Sequence, residues 1–346
     1  MARPAPRVPF PRATQTFVAL GAAALSTPRR RRFVQGVIIA VLMADLSRRA
    51  GLVVICVLSL MRATPVSMPQ DRTSALPVFI CPMHPDVIGN EGDLCPRCGM
   101  RLVATNPTDT APPVLTLEVT PKAVKPGERA VMRFRVTRRS GEPVTQFQPL
   151  HERPMHVFLV SHRFDFFAHL HPEPAADGTF AVPVSLPHAG VYHAFVEFMA
   201  VGGTPQLMQR AFVTAGWNGG VGRTTLGEDV GPKVDRSVKM QIQLPADGLV
   251  AGRSVDFRCS ISDAASGAPI HDLEPYLGTM AHVFLVGADL SDAAHVHPIP
   301  DFSDPAGPNL VFEALFPRAG QYRIWVQVQR RGQLYVTAFT VSVGPN

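Results

Sequence analysis

From about residue 114 onward, apolar and polar positions alternate in runs of five to eight, broken by Pro, Gly and Asp turns. VLTLEVT at 114–120 and VMRFRVT at 131–137 put every second side chain on one face, as do SVKMQIQL at 237–244 and VDFRCSI at 255–261. Period-two alternation of this length predicts antiparallel strands with one buried and one wet face. The 34 Pro and 27 Gly likewise point to many turns and short strands rather than long helices.

The same stretch repeats itself. PLHERPMHVFLVSHRFDFFAHLHP at 149–172 lies over PYLGTMAHVFLVGADLSDAAHVHP at 275–298, so that His156 falls on His282, His169 on His295 and His171 on His297. LPHAGVYHAFVEF at 186–198 lies over FPRAGQYRIWVQV at 316–328, a slightly longer offset that DFSDPAGPN at 301–309 accounts for. Roughly seven strands over roughly 100–110 residues per copy predict a mainly β protein of two tandem immunoglobulin-like β-sandwiches. AG-x-Y places Tyr192 and Tyr322 at the start of a late strand, where such sandwiches keep a corner tyrosine. The Gly-rich, aperiodic 215–235 is the expected linker between copies.

The N-terminal part has a different character. FVQGVIIAVLMA at 33–44 and AGLVVICVLSLM at 50–61 are each too short to span a bilayer. Joining them would place Asp45, Arg48 and Arg49 at mid-membrane, at about 2.5–3.5 kcal/mol each. Read from Met43, MADLSRR is a basic n-region and AGLVVICVLSL an h-region, the proportions of a secretory signal. Residues 1–63 are therefore expected to be a leader, either signal peptide or uncleaved anchor, with 1–42 a mis-assigned extension. The expected location is periplasmic or extracytoplasmic, with membrane contact only through that segment.

Composition narrows the function classes. At 46% hydrophobic and 17% charged residues, packed cores are expected rather than global disorder. The net charge of +6 is no nucleic-acid signal, because the Arg clusters at 29–32 and 48–49 lie in the leader. Of five Cys, Cys56 is in the leader and Cys259 lies in a strand pattern as a small buried hydrophobe, so no disulfide framework is expected. No nucleophile–base or phosphate-binding motif occurs, and the chain is not expected to be an enzyme.

The candidate chemistry lies just before the first repeat. In FICPMHPDVIGNEGDLCPRCGMRL at 79–102, Cys81 and His84 form C-x2-H, and Cys95 and Cys98 form C-x2-C. Thiolate and imidazole donors suit borderline and soft metals, and four can close a tetrahedron. Cys-Pro turns begin both pairs, Gly99 suits a positive φ, and the Gly-Asn-Glu-Gly-Asp run at 89–93 lets the pairs fold together. CPMHP at 81–85 and CPRCGM at 95–100 resemble the short heavy-metal-binding domain of bacterial metal-efflux adaptors and copper-transporting P-type ATPases. Phe79 stands where that family usually has Tyr. The resemblance implies a heavy-metal ion, copper or zinc, held during resistance, efflux or hand-over. Met83 and Met100 are expected as soft auxiliaries favouring copper(I).

The MHVFLVS…FAHLHP and AHVFLVG…AHVHP patterns resemble secreted bacterial Ig-like domains found beside metal-transport genes. On a strand, His169 and His171, like His295 and His297, share one face, with His156 and His282 across a hairpin. These six are either further metal ligands, with Met155 and Met280 nearby, or buried groups hydrogen-bonded to carbonyls. The expected order is leader 1–63, linker 64–78, metal motif 79–102, linker 103–113, sandwich 114–214, linker 215–235 and sandwich 236–346. The expected partners are the metal ion and a metal-efflux system or envelope protein, with no nucleic acid. The competing expectation is a structural or interaction module of the envelope whose zinc only folds the knuckle.

Overall fold

The knuckle is built from three short strands: β1 (Val78–Ile80), β2 (Ile88–Gly89) and β3 (Val103–Thr105), in the order β2-β1-β3. The computed structural model describes residues 78–106, 111–222, 224–301 and 309–346. The expected leader 1–63, with Cys56, and the linker 64–77 lie outside the described residues. β3 falls in the stretch expected as linker. Its backbone pairs Thr105, Ala104 and Val103 with β1, so the knuckle continues three residues beyond Leu102.

The first sandwich contains β4 (Val114–Thr120), β5 (Arg129–Thr137), β6 (Met155–Ser161), β7 (Phe167–Leu170), β8 (Glu173–Pro174), β9 (Thr179–Ser185), β10 (Val191–Phe198) and β11 (Gln206–Val213). One sheet has the order β4-β5-β9-β8 and the other β11-β10-β6-β7. The second sandwich follows with β12 (Lys233–Asp235), β13 (Val238–Gln243), β14 (Leu249–Val250), β15 (Ser254–Asp263), β16 (Leu273–Glu274), β17 (Ala281–Gly287), β18 (Ala293–Val296), β19 (Pro298–Ile299), β20 (Asn309–Leu315), β21 (Gly320–Arg330) and β22 (Gln333–Gly344). Its sheets run β12-β13-β15-β20-β19 and β14-β22-β21-β17-β18, with β16 on β21. No helix occurs among the described residues.

The alternation seen in the sequence becomes burial. Along β5, Ala130, Met132, Phe134 and Val136 are buried, and the intervening Val131, Arg133 and Arg135 are exposed. Tyr192 Oη donates to the His188 carbonyl at 2.8 Å, and Tyr322 Oη to the Arg318 carbonyl at 3.0 Å, so both corner tyrosines close their loops. Cys259 is fully buried in the second core.

β6 and β17 depart from alternation: all seven residues of each are buried. Met155, Val157 and Leu159 face the first core, and Ala281, Val283 and Leu285 the second. The intervening Phe158, Val160, Phe284 and Val286 belong to a third cluster with Phe164, Phe195, Leu290 and Trp325. That cluster is the contact between the two sandwiches. Phe158 and Phe284, equivalent positions of the two repeats, stack with centroids 4.3 Å apart and planes 4° from parallel. Self-matching across the contact makes it isologous, as between two copies of one protein. The segment between repeats is pinned along it: Leu226 is buried there, and Thr224 Oγ1 donates to the His162 carbonyl.

Candidate metal centres

The knuckle gathers its four predicted donors. The Cys81 backbone N–H bonds to the Val87 carbonyl, and the Gly99 N–H to the Cys95 carbonyl with Gly99 at φ +76°, so both pairs turn inward. Cys81 Sγ lies 3.6 Å from Cys98 Sγ and 3.7 Å from His84 Nδ1, and Cys95 Sγ lies 3.4 Å from the same nitrogen. A tetrahedral ion with bonds of about 2.3 Å to sulfur and 2.0 Å to nitrogen needs roughly 3.8 Å between sulfurs and 3.5 Å from sulfur to nitrogen. The spacing fits that ion, and 3.6 Å is far too long for a disulfide. All four cysteines among the described residues are free. The Cys98 hydrogen bond holds the Cys81 thiol well below the usual thiol range, while the same contact pushes Cys98 up. An ion held here would take both sulfurs as thiolates, in place of the hydrogen between them.

The second sandwich completes this site from behind. Glu313 Oε2 lies 3.6 Å from His84 Nε2 and accepts from Arg97 Nε at 3.1 Å. A carboxylate behind the far ring nitrogen orients Nδ1 toward the sulfurs. Burial works against the Glu313 carboxylate, but hydrogen bonds from Arg97 and Ser254 outweigh it and lower its pKa. Met83 packs on the knuckle core and on the second sandwich, and Met100 packs on the knuckle core.

The histidines of the repeats form two further clusters at the sandwich contact. In the first repeat, His156 Nδ1 and His171 Nε2 lie 3.0 and 3.2 Å from His169 Nε2. In the second, His282 Nδ1, His295 Nε2 and His297 Nε2 form a closed triangle with edges of 2.9, 3.1 and 2.9 Å. The far nitrogens are held by matching groups: His156 Nε2 by the Leu150 carbonyl and His282 Nε2 by the Tyr276 carbonyl, both at 2.8 Å. Across the contact, His169 Nδ1 meets Gln327 Oε1 at 2.9 Å and His295 Nδ1 meets Glu197 Oε2 at 2.7 Å. Glu197 and Gln327 are equivalent positions on β10 and β21, so each repeat orients a histidine of the other. Burial lowers the pKa to about 4 in His156 and His282 and about 3 in His171. It pushes the Glu197 carboxyl up to about 8.

His151 was not predicted at this site. Its ring lies 3.6 Å, centroid to centroid, from that of His297, and with His295 and His297 it forms another convergent donor group. The turn that carries it has φ +48° at His151, and the matching turn of the second repeat has φ +50° at Leu277. Lacking a repeat counterpart, His151 gave no duplicated signal. Met155 is not beside the cluster: next to His156 on a strand, it faces the opposite side and is buried in the first core.

The heavy metal binding domain family matches residues 78–105. No curated protein matches the chain. Among solved structures, the Escherichia coli adhesin FdeC aligns over 66% of this chain and 64% of its own, at 13% identity and a TM-score of 0.23. The Yersinia pseudotuberculosis adhesin InvE aligns over 67% and 61%, at 11% identity and a TM-score of 0.21. The chain thus spans less than two thirds of the length of either. The family described as Domain of unknown function (DUF8832) matches twice, over residues 113–215 and 233–345, which together are more than half of the sequence. The chain therefore belongs to the DUF8832 family, carrying two copies of its β-sandwich behind a heavy-metal-binding domain.

Proposed function

We propose that this protein is an exported binder of copper or zinc, acting in metal resistance, efflux or hand-over, with Cys81, His84, Cys95 and Cys98 as its ligands. The observation that carries the reading is the convergence of those four donor atoms within 4.8 Å of one another. Three sulfurs and one imidazole favour borderline and soft ions over magnesium or calcium. Export is supported by the signal-like proportions of residues 43–61. An efflux system or an envelope protein is the partner that this reading calls for.

The second reading, a structural zinc, is favoured by the small knuckle core of Cys81, Cys95 and Leu102. Metal exchange separates the two. A hand-over site gives its ion to a competing chelator within minutes, takes up copper(I), and leaves the sandwiches folded. A zinc that resists the competitor, and whose forced removal unfolds the knuckle, supports the structural reading. Metal analysis of the whole chain with and without Cys95→Ser and Cys98→Ser locates the ion. An unchanged metal content in the doubly substituted chain removes the knuckle from the mechanism.

A further inference from the structure

We propose that the contact between the two sandwiches is a paired metal centre. One ion would be held by His156 Nδ1, His169 Nε2 and His171 Nε2, and a second by His282 Nδ1, His295 Nε2 and His297 Nε2. Both ions are of the imidazole-seeking first-row class, with copper(II) binding tightest.

Proton bookkeeping carries the argument. Each ring nitrogen in a neutral or charged imidazole either bears a hydrogen or offers a lone pair. Three nitrogens that are mutually 2.9–3.1 Å apart must therefore include at least one pair of the same kind, two hydrogens or two lone pairs facing each other. No choice of tautomer removes that clash from the second-repeat triangle. His297 adds to it, because its Nδ1 is buried without a hydrogen-bond partner. In the first repeat, with both rings neutral, the Leu150 carbonyl and Gln327 Oε1 take the far hydrogens of His156 and His169 and leave two lone pairs 3.0 Å apart.

A cation at the centre turns each clash into coordination. With bonds of about 2.0–2.1 Å, a right angle at the ion spaces two nitrogens by about 2.9 Å and a tetrahedral angle by about 3.3 Å. The observed separations lie in or at the edge of that range.

His162 and His193 supply a contrast within the same protein. Their facing nitrogens are 3.1 Å apart, yet every position is satisfied. His162 Nε2 donates to the Gly222 carbonyl, Gln209 Nε2 donates to His193 Nδ1, and His193 Nε2 donates to His162 Nδ1. That pair is structural. The second-repeat triangle cannot be completed in this way under any protonation.

The two sites differ in access and charge. His282, His295 and His297 are buried, whereas His169 and His171 are half-buried, so the first-repeat ion is the more exchangeable. Glu197 backs the second site with a carboxyl where Gln327 backs the first with an amide. His151 reaches from the first sandwich to the second site, where Leu277 marks its counterpart.

The test uses the full chain carrying Cys95→Ser and Cys98→Ser, loaded with copper(II) alone and desalted. The expected result is two coppers per chain. His169→Ala and His295→Ala should each remove one, and together both. Because either variant can disturb the contact, His171→Ala and His297→Ala provide a second pair at the ends of the hairpins. Copper should also raise the unfolding temperature of the Cys-substituted chain, and pulsed spectra should show imidazole nitrogens with magnetic coupling between two ions. A Cys-substituted chain that retains no copper and shows no thermal shift overturns this proposal and leaves the knuckle reading intact. Copper retention that the four histidine substitutions do not alter also overturns it. A Cys-substituted chain that binds as much copper as the unsubstituted one overturns the knuckle reading instead.

Discussion

Replacing Phe158 or Phe284 by Ala tests whether the two sandwiches are one structural unit. Both side chains are 1% exposed and stack on each other at 4.3 Å across the contact. Burial of this kind makes a Phe→Ala change cost about 3–5 kcal/mol, from lost transfer energy and the cavity left behind. The rings also interact directly, by about 0.5–1.5 kcal/mol beyond their area. The double variant should therefore lose less than the sum of the single losses by about that amount. Urea unfolding gives each value. Trp325, 4% exposed in the same cluster and stacked on Phe167 at 4.6 Å, should shift its emission to the red as the contact loosens. Losses below about 1 kcal/mol that add without coupling, with Trp325 emission unchanged, would refute the packed contact. The scaffold of the histidine pair would fall with it.

Three further outcomes are expected. Metal-free protein should lose stability as the pH falls from 6.5 toward 4: the unfolded chain binds protons there that buried His156 and His282 do not, with folded values of about 4. Each contributes about 3 kcal/mol, fully present above pH 6.5 and lost progressively down to about pH 4. Chemical unfolding across that window measures it, and a flat profile contradicts the burial of these rings. Glu313→Gln should weaken metal binding at the knuckle about 10–100-fold by loosening the orientation of His84, read by competition with a chelator. A change within twofold would show that the carboxylate does not act through His84. Tyr192→Phe should cost about 1 kcal/mol by leaving the His188 carbonyl without its donor, and an unchanged unfolding midpoint would exclude a corner role.

Local pattern carried much of this protein. Strict alternation along residues 114–120 and 129–137 determines strands with one buried face, because successive side chains on a strand point oppositely. The C-x2-H and C-x2-C spacings determine two turns that can each present a pair of donors, and duplication marked His156, His169 and His171 with their counterparts. The unbroken runs MHVFLVS and AHVFLVG held one more message, since a strand apolar on both sides needs a second surface to cover it. What covers it could not be read locally. Only tertiary structure placed Phe158 on Phe284, set Glu197 and Gln327 behind histidines of the opposite repeat, and brought Glu313 behind His84. These contacts join residues about 100–230 positions apart in sequence, and they depend on how two finished sandwiches face each other rather than on the period of either strand.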